Sequence, residues 1–355
     1  MKRLAKPLLT LLLVFGISVP AHAQGIEWEK LNSEVESLYA QGHYDRAVVV
    51  AKKALQVAEK AVGPNHPFVA TSLNNLAMLY QTQGQYAQAE PLLKRLLAIL
   101  EKGLGPDHPD VATSLNNLAA LYQAQGRYAQ VEPLFKRSLA IRERGLGPNH
   151  PDVATSLGNL AGLYNAQGQY AQAERLLKRT LAIMEKAFGP DHPDVATSLN
   201  NLAESHRAQG QYTQAESLYK RSLAIWEKSL GPDHSNVATG MNNLAGLYNA
   251  QGRYAQAEPL FKRSLAIMEK ALGPDHPDVA AGLNNLAELY GTQRRYAQAE
   301  RLLKRTLAIM EKAFGPDHPD MAKTLENMAV LYRKTGRKEE AEALEKRAAT
   351  ILAIR

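Results

Sequence analysis

Cysteine is absent from all 355 residues, which excludes disulfides, thiolate-held metals and a lipid-modified N-terminal cysteine. Also missing are a Gly-rich phosphate loop, a Ser-His-Asp arrangement, paired inward carboxylates and a His-x-x-x-His pair, so the common signatures of catalysis are not there. Aromatic residues make up only 6% of the chain, and there is no inward aromatic series on which sugars would stack. No segment beyond the N-terminus is apolar enough to span a bilayer, and no stretch alternates as a strand does.

The N-terminus has three parts. Lys2, Arg3 and Lys6 form a basic start, residues 8–19 an apolar stretch, and Ala21-His22-Ala23 a small-x-small site before Gln24. That layout predicts a secretory signal peptide over residues 1–23, and an apolar stretch of this length is about half of the ~20 residues a membrane anchor needs. The expected product is exported, periplasmic or extracellular, with no stable membrane span after cleavage. The full chain carries a net charge of +7. Removing three basic and no acidic residues leaves 39 basic against 35 acidic, or +4. Such mild charge, on an exported chain, argues against a nucleic-acid partner.

What fills the remainder is one unit of 42 residues, repeated. The anchor Gly-Pro-(Asp/Asn)-His returns at His66, His108, His150, His192, His234, His276 and His318. A period in this range signals stacked supersecondary units. Within one unit Val111, Leu115, Leu118 and Tyr122 lie at helical spacing, and Gly126 then breaks the run. Tyr170, Ala173, Leu177, Leu181 and Met184 mark the second helix one unit on, closed by Gly189-Pro190, with Pro193 suited to the next first turn. Small residues recur at fixed places, from Ala77 to Ala329 in the first helix and from Ala47 to Ala341 in the second, with Val131 the exception. The expectation is an all-α, right-handed superhelical solenoid of eight helix pairs over residues 24–355. The first pair, about 27–62, is degenerate; the last, about 320–355, is a strongly charged cap.

Leu118-Ala119, Tyr122, Gly126, Tyr128 and the alanine series resemble the tetratricopeptide repeat. The length and wording, including His-Pro-Asp-Val-Ala, Leu-Asn-Asn-Leu-Ala and Ala-Glu-Pro-Leu-Phe-Lys-Arg-Ser-Leu-Ala-Ile, resemble the repeats of kinesin light chains from about Trp28 onward. The signal peptide and the lack of an N-terminal heptad segment put a motor-adaptor role out of reach.

On a helical wheel Thr113, Asn116, Asn117, Ala120 and Ala124 lie roughly opposite the apolar stripe. The resemblance implies that this helix lines a concave groove and that asparagine there bonds the main chain of a bound peptide. The candidate residues are Asn75, Asn117, Asn159, Asn201, Asn243 and Asn285, with Asn116, Asn200 and Asn242 beside them. An amide offers both donor and acceptor and suits any extended backbone. The alternative is that these residues bond between helices and only fix the stack.

One His per unit is too widely spaced for a shared metal, so the His ladder reads as loop closure before Pro, and no cofactor or metal is expected. His206 stands where other units carry Tyr. Lys-Arg pairs such as Lys178-Arg179, with acids four residues earlier, read as a solvated outer face. The function expected is therefore non-enzymatic: a scaffold holding an extended segment of a protein partner. The alternatives are a scaffold joining folded envelope proteins by its edges or convex face, or a glycan-binding module.

Overall fold

The computed structural model describes residues 19–353; of the signal-peptide reading over residues 1–23, residues 1–18 lie outside the described residues. Sixteen α-helices follow one another among the described residues, alternately shorter and longer from the third onward. They are α1 (Val19–Ala40), α2 (Tyr44–Val62), α3 (Pro67–Thr82), α4 (Tyr86–Leu104), α5 (Pro109–Ala124), α6 (Tyr128–Leu146), α7 (Pro151–Ala166) and α8 (Tyr170–Phe188). The series continues with α9 (Pro193–Ala208), α10 (Tyr212–Leu230), α11 (Ser235–Ala250), α12 (Tyr254–Leu272), α13 (Pro277–Thr292), α14 (Tyr296–Phe314), α15 (Met321–Lys334) and α16 (Lys338–Ala353). The chain divides into two compact units between Leu121 and Tyr122.

In the first unit α1 packs on α2, α2 on α3 and α3 on α4. Trp28 stacks on Phe68 at 4.2 Å and donates from Nε1 to Ser72 Oγ. In the second unit each helix from α6 onward packs on the next, and alternate odd helices (α7 and α9, α9 and α11, α11 and α13, α13 and α15) also touch. This nearest-neighbour pattern is what a repeat array requires, because neither helix of a pair can cover its own apolar stripe.

Both connections follow from the sequence. After each odd helix a glycine adopts the left-handed conformation, as Gly84 does at φ 70°. The amide of Gln85 then reaches back to Tyr80 O at 2.7 Å, closing the helix end. Arg294 takes that role in the seventh pair at φ 59°, a conformation that costs a residue with a Cβ roughly 1–2 kcal/mol. Arg294→Gly is therefore expected to stabilise the second unit by about 0.5–1 kcal/mol, since glycine returns part of the gain as unfolded-state entropy. Urea unfolding checks this, and a loss of stability would refute it.

After each even helix the glycine sits at a φ and ψ open essentially to glycine alone, as Gly189 does at 83° and 163°. The anchor histidine then caps the following helix. Nδ1 of His150, His192, His234 and His276 accepts from the amide two residues on, at 3.1–3.2 Å. The ladder thus goes one step beyond loop closure, into N-capping, and the proline after it occupies the first turn, where its missing N–H is not needed.

Val111, Leu115, Leu118 and Tyr122 are all buried, as are both alanine series and Val131. In α8 the fully buried stripe is Ala173, Leu177, Thr180 and Ile183, whereas Leu181 and Met184 are half-buried. The even helices also bury hydroxyls that periodicity could not reveal. Ser222 Oγ donates to Ala196 O at 2.7 Å and Ser264 Oγ to Ala238 O at 2.6 Å, tying each even helix to the odd helix of its own pair.

Candidate functional site

Where an odd helix carries the Asn-Asn pair, its two members are 100° apart, and the structure gives them different surroundings. The first member is the more enclosed, Asn116 and Asn200 being buried and Asn242 half-buried, and Asn200 and Asn242 face the next odd helix. The second member donates from Nδ2 to the first member of the preceding odd helix. Asn75 reaches Asn32 at 3.1 Å and Asn117 reaches Asn74 at 2.8 Å in the first unit. In the second unit Asn243 reaches Asn200 at 2.9 Å and Asn285 reaches Asn242 at 2.8 Å. The wheel reading that set Asn116 beside Asn117 on one open face is thus corrected: Asn116 is buried, with its Oδ1 unpaired.

Asn159 is half-buried and Asn201 exposed. The position that would pair with Asn201 holds Gly158, so the ladder is interrupted there. Thr197, Asn201, Glu204 and Ala208, one helical face of α9, form a strip that is exposed or half-exposed. A Cβ placed on Gly158 or on Gly162 would meet nothing within 4 Å, so the α7 side of this strip is open down to the backbone.

Glu204 is ionised on that strip. Burial pushes its pKa up, but hydrogen bonds from Arg207 and Tyr219 outweigh this and hold it below the usual carboxylate value. Tyr219 is completely buried and donates its hydroxyl to Glu204 Oε2 at 2.5 Å. Beside it Ser205 replaces the leucine found in the neighbouring pairs and bonds Asn165 Oδ1 at 2.9 Å. Sequence reasoning missed this group. Its signal was present in part, because Ser205, His206 and Tyr219 depart from the wording of the other units within one pair.

The other feature not foreseen is a charged joint between successive pairs. Tyr248 OH donates to Glu216 Oε1 at 3.0 Å, while Arg253 Nη1 donates to Glu216 Oε2 at 2.6 Å and lies over the Tyr248 ring. Tyr290, Glu258 and Arg295 repeat it, as do Tyr332, Glu300 and Arg337. Each glutamate also holds the lysine four residues on, namely Lys220, Lys262 and Lys304. With two cations apiece, Glu216 (Arg253 first, then Lys220), Glu258 (Lys262, then Arg295) and Glu300 (Lys304, then Arg337) are drawn down to about 2. The arginines of the outer Lys-Arg pairs reach back to the preceding pair, as Arg179 does to Glu143 at 2.7 Å and Arg221 to Glu185 at 2.8 Å.

A family model described as tetratricopeptide repeat matches seven overlapping stretches: residues 31–102, 74–144, 110–186, 152–228, 194–270, 236–312 and 278–353. The chain belongs to the tetratricopeptide repeat family. Its helix pairs are thus the building blocks of a protein–protein interaction scaffold. A search of curated proteins gives no match. Among solved structures, the chain resembles the nearly identical TPR-like repeats of a kinesin light chain protein from Podosopora anserina. The identity is 34% over 58% of this chain and 97% of that one, with TM-score 0.47. A substituted form of that protein gives 33% over 56% and 94%, again with TM-score 0.47. A Rap protein complexed with Competence and Sporulation Factor aligns over 94% of this chain and 99% of its own, at 14% identity and TM-score 0.58, a likeness of fold. No described helix of this tetratricopeptide protein is long and apolar enough to cross a membrane.

Proposed function

We propose that this chain is an exported scaffold that captures an extended segment of a partner protein along the open face of its odd helices. The observation that carries the reading is Asn201. Interruption of the ladder at Gly158 leaves its amide exposed, in a strip whose α7 side is bare enough for another main chain to approach. The basic, apolar and small-x-small order of residues 2–23 supports export, and intact mass of the envelope fraction tests it: retention of residues 1–23 would overturn that part. The complex of the Rap protein with its factor is a bound state of the same fold class.

The partner is to be identified by crosslinking mass spectrometry on envelope extracts, and its affinity then measured against variants. Asn159→Ala with Asn201→Ala is expected to weaken capture by about tenfold, since two neutral hydrogen bonds at ~0.5–1.5 kcal/mol each reach the ~1.4 kcal/mol of a factor of ten. Gly158→Asn, which gives Asn201 an amide partner again, should weaken capture without loss of stability. Arg179→Ala with Arg221→Ala is the control, because exposed ion pairs contribute little. If the arginine pair abolishes capture and both asparagine tests leave it intact, the groove reading fails and a scaffold acting through its outer surface replaces it.

A further inference from the structure

The charged joints provide an internal standard for what their slot accepts. Between α10 and α11, α12 and α13, and α14 and α15, a glutamate on an even helix takes a lysine from its own helix and a guanidinium from the next pair. That guanidinium lies over a tyrosine at 4.1, 4.0 and 3.6 Å from the ring centre. Between α8 and α9 the acid and the lysine are kept: Glu174 Oε1 lies 2.6 Å from Lys178 Nζ. The other two parts are not. His206 stands in place of the tyrosine and Gln211 in place of the arginine.

The smaller side chains leave an open depression of about 450 Å³, with Glu174, Lys178, Leu202, His206, Gln211 and Leu218 in its wall. Gln211 turns away from the acid: its Oε1 meets His206 Nδ1 and its Nε2 donates to Gln209 Oε1 at 3.4 Å. Nδ1 faces the Gln211 Oε1 acceptor and so carries a ring proton. Leu202 and Leu218 offer apolar surface for the methylene stem of a long cationic side chain.

We propose that this depression binds an arginine side chain of a partner polypeptide, with Glu174 receiving the guanidinium that the chain itself supplies at three other joints. Lys178 does not block it, since Glu216, Glu258 and Glu300 each hold a lysine and an arginine together. Arginine is selected over lysine because the planar fork can engage a carboxylate and neighbouring acceptors at once, whereas an ammonium duplicates what Lys178 already provides. That the arginine belongs to a polypeptide rests on the scaffold reading; the slot itself does not, so it is tested without a partner.

The probes are N-acetyl-arginine methylamide and N-acetyl-lysine methylamide, titrated into the isotope-labelled full chain while the His206 ring and Gln211 amide resonances are followed by NMR. The arginine probe is expected to bind at least about fivefold more tightly than the lysine probe. Glu174→Gln should weaken it by about tenfold or more. His206→Tyr combined with Gln211→Arg rebuilds the self-filled joint: it should also lose about tenfold or more in probe affinity while its unfolding midpoint stays at or above that of the parent. Equal binding of the two probes, or undiminished arginine binding by the rebuilt variant, overturns the proposal. If the slot passes and the partner of the proposed scaffold carries no arginine there, the ownership fails while the site stands.

Discussion

Trp226→Ala is expected to destabilise the second unit by about 3–5 kcal/mol, the cost of emptying a large aromatic from a packed core. Trp226 is 3% exposed and donates from Nε1 to Pro193 O at 3.1 Å, so the loss combines a cavity, its packing contacts and one hydrogen bond. The equivalent position of neighbouring pairs holds Met184, Met268 and Met310, and the residue fourteen places on is Ser198, Gly282 and Thr324 respectively. Opposite Trp226 that residue is Gly240, whose Cβ would lie 3.1 Å from the rigid indole. Gly240→Ser alone should therefore cost about 1–3 kcal/mol as overpacking. In a Trp226→Met background the same change should be nearly neutral, because at the equivalent place Met310 Sδ lies 3.9 Å from the Thr324 hydroxyl. A double-mutant cycle is expected to show coupling above about 0.5 kcal/mol. It is read as denaturant midpoints together with hydrogen exchange in α9–α11, since a repeat array can unfold in parts. Additive effects would show that indole and glycine are not matched to one another.

This pairing explains what could be read from the sequence and what could not. Helix number, turn glycines and the buried alanines follow from periodicity and backbone sterics, which act within one unit and recur in every one. The site depends on what lies between units. The amide ladder links residues 43 apart, from one member of an Asn-Asn pair to the other member in the preceding unit. A helical wheel sees only one helix at a time, so it set Asn116 and Asn117 on one face. Likewise Lys178-Arg179 read as an outer face. The lysine does hold the acid four residues earlier, but the arginine reaches across to Glu143 in the unit before. Gly158 and His206 stand out in the sequence as departures. Their meaning, an unpaired Asn201 and an unfilled slot, emerges only with the neighbouring unit in place.

Arg142 occupies the same repeat position as Trp226, and replacing it by the methionine of the other pairs is expected to stabilise the protein by about 1–4 kcal/mol. It is 8% exposed, so a guanidinium is held in the core, where burial lowers its pKa against the supporting charge of Asp152. Nη1 donates to Asp152 O at 2.9 Å and to Ser156 Oγ at 3.2 Å, which satisfies hydrogen bonds but recovers only part of the cost of removing the charge from water. Methionine fills the place without that cost, adapts its shape readily, and is met by a hydroxyl at the equivalent place, where Thr324 Oγ1 lies 3.9 Å from Met310 Sδ. The sign separates the two contributions. Arg142→Ala should lose stability, because it leaves a cavity, whereas Arg142→Met should gain it. Chemical denaturation of both variants decides the matter. If Arg142→Met also loses stability, the bonds to Asp152 and Ser156 outweigh desolvation, and the charge is a net contributor to the joint between α6 and α7.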